Sequence, residues 1–139
     1  MLKTIVYDPE TGVRSGLPLE ELADALENKN QTIWVDLDQP TPEETKLVLA
    51  KTFGFHPRAI EDCQTPAERP KLEPYDSYLF LILPAGGLRI VDGSPDVTEI
   101  GFFLGDNYLV TYHRRSMTCT DVFAKECERV PKRFFSRGP

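Results

Sequence analysis

Two adjacent carboxylates, Glu61 and Asp62, stand where a 139-residue chain has least local reason to put them. They fall in the last turn of a short helix expected from Pro57, where the helix macrodipole is negative and Lys or Arg is favoured. Each such placement costs roughly 0.3–1 kcal/mol. One reading is a solvated acidic end. The other is a site for a hard divalent cation, since Mg²⁺ accepts one or two carboxylates and keeps several of its waters. Neighbouring residues on a helix point about 100° apart, so Glu61 and Asp62 do not grip one ion together. The missing ligands then come from a neighbouring subunit or from chain outside these residues.

No other constellation reads as a reaction centre. GxSxG, Walker A and HExxH motifs are absent, and His56 and His113 lie in separate elements without Cys or Asp at ligand spacing. His56, just before Pro57, reads as a cap or packing residue, and His113 ends a strand beside Arg114-Arg115. Trp34, Tyr75, Tyr78 and Phe80 read as core or rim aromatics. Gly86-Gly87 reads as a turn, and Cys63, Cys119 and Cys127 as ordinary thiols. A small acid/base enzyme built on Glu61 or Asp62 would need a pocket with a convergent His or Arg. A binding module would show an exposed apolar patch.

The elements that must hold the carboxylates follow from periodicity. Leu2 to Tyr7 reads as a strand ended by Asp8-Pro9 and Thr11-Gly12. Leu19, Leu22, Ala23 and Leu26 mark an amphipathic helix. Thr32 to Leu37 is a β-branched and aromatic strand. Thr41, Pro42 and Glu44 form a capping-box signature for a helix that reaches about Thr52 and stops at Gly54. Strand, helix, strand, helix predicts a βαβ layer with its first two strands parallel. The Pro57 helix is limited to about two turns by Pro66, Pro70 and Pro74.

Tyr78 to Leu83, continuously apolar, reads as a strand buried on both faces. Leu88–Val91 and Val97–Leu104 are shorter strand candidates, and Gly105-Asp106-Asn107 is a tight connection into Tyr108–Tyr112, all antiparallel. Asp121 is placed to cap a last helix carrying Val122, Phe123, Cys127 and Val130 on one side.

Size and composition fit one domain over residues 1–139: 40% hydrophobic residues with 8 Phe, 5 Tyr and 1 Trp suffice for a core. The net charge of −6 argues against nucleic acid as a partner. The negative charge lies in residues 1–112, with 19 acids and 9 bases, while residues 113–139 carry 3 acids and 7 bases. The longest apolar run is far short of the ~20 residues of a membrane span. Three cysteines without a CxxC pair, and an N-terminus without a signal-peptide core, point to a reducing, cytoplasmic setting.

Read together, Trp34-Val35-Asp36-Leu37, Pro40-Thr41-Pro42-Glu43-Glu44, the run from Phe53 through His56-Pro57 to Glu61-Asp62, Arg69-Pro70-Lys71-Leu72-Glu73 and Tyr75–Phe80 resemble the N-terminal cytoplasmic domain of CorA-type magnesium transporters. Phe103-Leu104, Asn107–Thr111 and His113 continue the likeness, which covers residues 32 to 139. It implies an α/β fold, a mixed parallel and antiparallel sheet flanked by helices on both faces. It also implies a homopentameric channel for Mg²⁺, passing Co²⁺ or Ni²⁺ as well, whose cytoplasmic domains form a funnel. A stalk helix and two transmembrane helices are expected beyond Pro139, so these residues are expected to be a soluble fragment of a protein at the cytoplasmic face of the membrane, monomeric or weakly associated alone. In that family an aspartate matching Asp62 binds regulatory Mg²⁺ between subunits, and the glutamate matching Glu61 is associated with a second metal position. A zinc-transporting branch shares the architecture, so the transported ion is left open.

Overall fold

The β-branched and aromatic runs assemble into one seven-stranded sheet in the computed structural model, which describes residues 1–66 and 69–139 and, within these, the side chains of all but 86–89, 91 and 95–97. In chain order the elements are β1 (Leu2–Asp8), β2 (Gly12–Ser15), α1 (Leu19–Glu27), β3 (Thr32–Asp38), α2 (Pro42–Thr45) continuing as a π-helical segment (Lys46–Thr52), α3 (Pro57–Gln64), β4 (Lys71–Pro74), β5 (Leu79–Val91), β6 (Ser94–Leu104), β7 (Tyr108–His113), α4 (Thr118–Arg129) and α5 (Pro131–Phe135). The strands lie in the order β2-β1-β3-β7-β6-β5-β4.

The expected parallel pairing of the first strand with Thr32–Leu37 is not what forms. β1 runs antiparallel to β3, with Ile5 opposite Trp34. The unforeseen element is β2, which doubles back on β1 after a turn in which Asp8 Oδ1 accepts the Glu10 N–H at 2.8 Å and Gly12 takes φ 91°. Because β2 and β3 both oppose β1, they are parallel to each other, and α1 is a crossover that skips one strand. The parallel hydrogen-bonded pair is β3 with β7, Trp34 opposite Leu109 and Asp38 opposite His113.

β5 and β6 form a long hairpin that absorbs two further expectations. Gly86-Gly87 is no turn: both lie inside β5, where the register with β6 shifts between Ala85 and Arg89. The chain reverses at Asp92-Gly93, whose φ values of 50° and 77° are the type I′ pattern suited to the strand twist. Nor is the Tyr78–Leu83 run buried on both faces. Phe80 and Ile82 are buried while Leu83 is exposed, so one face packs.

Helices cover both sides of the sheet. Leu22, Val48, Leu49, Phe55, Ala59 and Cys63 pack on Val6, Ile33, Val35, Phe80, Phe103 and Val110. On the opposite face Cys127 and Phe135 meet Ile5, Tyr7 and Trp34, with Tyr7 and Phe135 stacked at 5.4 Å. Asp121 does not cap α4: Met117 is the N-cap and makes no side-chain cap bond, while Asp121 sits in the first turn and pairs with Lys3 of β1.

The capping box before α2 forms as read. Thr41 Oγ1 accepts the Glu44 N–H at 3.1 Å and Glu44 Oε2 accepts the Thr41 N–H at 3.0 Å. Thr41→Ala is expected to cost roughly 1 kcal/mol, read as a lower urea midpoint at unchanged m-value.

Candidate metal centre

α3 carries the two carboxylates and is fixed at both ends. At its start His56 Nδ1 accepts the Arg58 N–H at 3.1 Å, the cap role expected of it, and Pro57 follows at the first helical position. The His56 N–H donates to the Tyr78 hydroxyl at 2.9 Å. Tyr78 belongs to an aromatic stack running from Tyr75 through Phe55 to Phe103, with ring centroids 4.2–4.8 Å apart. Along the helix Ala59 and Cys63, four residues apart, are buried against the sheet. Cys63 rests on Gly101 of β6, where a Cβ would come within 2.6 Å of its Sγ.

That seating points Glu61 and Asp62 differently. Glu61 is exposed, and Asp62 is half-buried with its Oδ2 accepting from the Lys71 ammonium of β4. The hydrogen bond and charge of Asp62, with Glu73 behind it, hold Lys71 above the ordinary lysine range. Lys71 Nζ also lies 3.5 Å from Glu73 Oε2, to which the Tyr75 hydroxyl donates at 3.4 Å. Among the described residues no group of three His, Cys, Asp or Glu could hold a metal ion. The two carboxylates thus stand in different surroundings. Their hard oxygen donors fit a largely hydrated cation that takes one carboxylate from this chain.

A second polar centre was not visible in the sequence. His113 is fully buried at the end of β7, and its Nε2 meets Asp36 Oδ1 and Oδ2 of β3 at 3.0 and 3.1 Å. Its Nδ1 donates to the Arg115 carbonyl at 2.6 Å. Asp36 in turn accepts from Thr111 Oγ1 at 2.6 Å, which accepts from Trp34 Nε1 at 3.0 Å. Asp38 Oδ1, buried without a hydrogen bond, lies 3.5 Å from Nδ1. Burial alone would lower the His113 pKa, but the Asp36 and Arg115 hydrogen bonds and the charges of Asp36 and Asp38 outweigh it and raise it. With an acceptor at each ring nitrogen, this centre favours the imidazolium over the neutral ring. Sealed from solvent, it joins β3 to β7 and offers no reacting atom to a substrate.

Asp36 and Asp38 sit in a strand that is buried at all seven positions, and buried carboxylates demand a partner. The partner is 77 residues away.

No helix among the described residues is long and apolar enough to cross a membrane. The sequence family described as CorA-like Mg²⁺ transporter protein matches residues 29–137. YfjQ of Bacillus subtilis (strain 168), a protein that carries the name metal ion transporter, is 40% identical over 97 residues, which are 70% of this chain and 28% of that protein. The chain therefore spans under a third of that relative. Among solved structures, the soluble domain of CorA from Methanocaldococcus jannaschii superimposes with a TM-score of 0.66 at 19% identity, covering 99% of this chain and 50% of that one. The cytoplasmic domain of ZntB from Vibrio parahaemolyticus RIMD 2210633 gives 0.53 at 14% identity over 90% of this chain and 48% of that one. With most of its sheet and the whole of α3 inside the matched residues, the chain belongs to the CorA-like Mg²⁺ transporter family.

Proposed function

We propose that this chain is the cytoplasmic, Mg²⁺-sensing part of a longer homopentameric divalent-cation transporter, and that Asp62 binds a regulatory Mg²⁺ at the interface between copies. The observation that carries the reading is the position of Asp62 within the family match. It is a half-buried carboxylate at the end of α3, in a body with a strong acidic excess, and it pairs with Lys71. The ion takes one carboxylate here and further ligands from a neighbouring copy; Glu61, exposed beside it, serves a second, weaker position. The membrane-spanning helices belong to chain beyond these residues, and Co²⁺ and Ni²⁺ are transported along with Mg²⁺.

The physical logic is a population shift. Acidic protomers around an axis repel one another, and a divalent ion between them relieves the repulsion and favours the closed arrangement. The shift is limited by how much more tightly the closed state binds the ion. In the full-length transporter, Asp62→Asn is expected to raise the Mg²⁺ concentration for half-inhibition of uptake about tenfold, equivalent to about 1.4 kcal/mol of ligand contact. An unchanged half-inhibitory concentration sinks the role of Asp62. The likeness in fold to ZntB is compatible with a second reading, a zinc transporter of the same fold. Uptake of Zn²⁺ without uptake of Mg²⁺ would select it.

A further inference from the structure

The cation position beside Asp62 is filled by a residue of this chain. Lys71 and Glu73 stand two apart on β4, so strand alternation puts both on one side, while Leu72 between them is 65% exposed. The side chains of Asp62, Lys71 and Glu73 are 27%, 31% and 30% exposed, so all three are partly withdrawn from water. Within this group the ammonium donates to Asp62 and lies 3.5 Å from Glu73. β4 is paired to β5, Lys71 opposite Ile82, which anchors the backbone of Lys71 and leaves its four-carbon stem as the moving part.

We propose that Lys71 is a built-in competitor at the Asp62 site, so that metal binding there is an exchange of cations and not the filling of an open site. The inference rests on the metal reading of Asp62 given above. An incoming divalent ion takes the carboxylate oxygen that Lys71 holds, and the ammonium moves to Glu73, the acceptor already within 3.5 Å. No charge is left unpaired by the exchange. A lysine suits the task because it makes point contacts on a flexible stem, where an arginine would clamp the carboxylate with two parallel bonds. The consequence is an affinity set low by the contact that must first be given up, and set by one residue.

The test is paramagnetic broadening of amide signals in the ¹⁵N-labelled 139-residue chain, with Mn²⁺ as probe and Mg²⁺ as competitor, in 0.15 M salt to screen distant charges. Lys71→Met is expected to lower the Mn²⁺ concentration for half-broadening of the last turn of α3 and of β4 about tenfold. Asp62→Asn removes the broadening in both the wild-type and Lys71→Met backgrounds. Glu73→Gln, which takes away the second acceptor, is expected to move the midpoint the other way, and it carries the test if Lys71→Met loses the native spectrum. Lys51→Met, the same charge removed from an exposed position of the π-helical segment, leaves the midpoint in place. An unmoved midpoint in both the Lys71 and Glu73 variants, with Asp62→Asn still abolishing broadening, overturns the competitor and spares the metal site. A fall in Lys51→Met equal to that in Lys71→Met reduces the effect to general charge and also overturns it. Broadening that survives Asp62→Asn overturns the metal reading itself.

Discussion

Replacing His113 by alanine is expected to lower the unfolding free energy by about 3–5 kcal/mol, the usual penalty for leaving one member of a buried ion pair alone. Asp36 would keep its Thr111 bond but lose the imidazolium at 3.0 Å, and the Arg115 carbonyl would lose its donor. Urea unfolding at pH 6 measures the loss, and a cost below about 1 kcal/mol would show the pair to be dispensable. Combining His113→Ala with Asp36→Asn should recover part of the loss, since the orphaned charge is then gone.

The same pair gives stability a pH dependence. His113 has a folded pKa above its ordinary 6.5, so the folded state binds the proton more tightly than the unfolded chain. Its contribution is fully present below the unfolded value and is lost as pH rises through the folded one. Wild-type stability should therefore fall as pH rises from 6.5 through the folded value, and His113→Ala should flatten that fall. The charged groups facing this centre are Asp36 and Asp38 from β3, with Lys3 of β1 and Asp121 of α4 paired alongside.

Gly101→Ala is the second large effect. The new methyl group would lie 2.6 Å from Cys63 Sγ, inside any tolerable contact, and overpacking of this kind costs about 1–3 kcal/mol. Cys63 is buried on the inner side of α3, and burial pushes its thiol well above the ordinary cysteine range. Cys63→Ala removes the offending sulfur, so Gly101→Ala should be close to neutral in that background. Additive losses in the double-mutant cycle would mean the clash is relieved elsewhere. Because the same helix carries Asp62, the single Gly101→Ala variant should also disturb the amide signals of β4 through the Asp62–Lys71 contact.

What could be read from the chain was local. Thr41 and Glu44 specify a cap within four residues, His56 and Pro57 specify a helix start, and Phe80 reads as a core or rim aromatic. The Glu61-Asp62 pair stood out because it offends a helix terminus. What could not be read was pairing across distance. The β2 segment Gly-Val-Arg-Ser has little strand character, and its omission turned a crossover over β1 into a false parallel pair. Asp36 and His113 are each unremarkable alone, and only the β3–β7 register brings them together. Lys71 read as part of a family signature, and its contact with Asp62 depends on β4 folding back alongside α3.

The placement of β7 also orders events in time. It is the last strand of the chain, yet it lies between β3 and β6 in the middle of the sheet. Until Tyr108–His113 leaves the ribosome, β3 keeps one edge unpaired and Asp36 lacks its histidine. At roughly 5–20 residues per second, the 77 residues from Asp36 to His113 take on the order of 4–15 s to emerge. A nascent chain therefore carries an open apolar edge, the form of strand most prone to pairing with its neighbours, through that interval. The histidine that closes it arrives with the last strand, making the buried ion pair a late step in synthesis as well as a bond in the finished molecule.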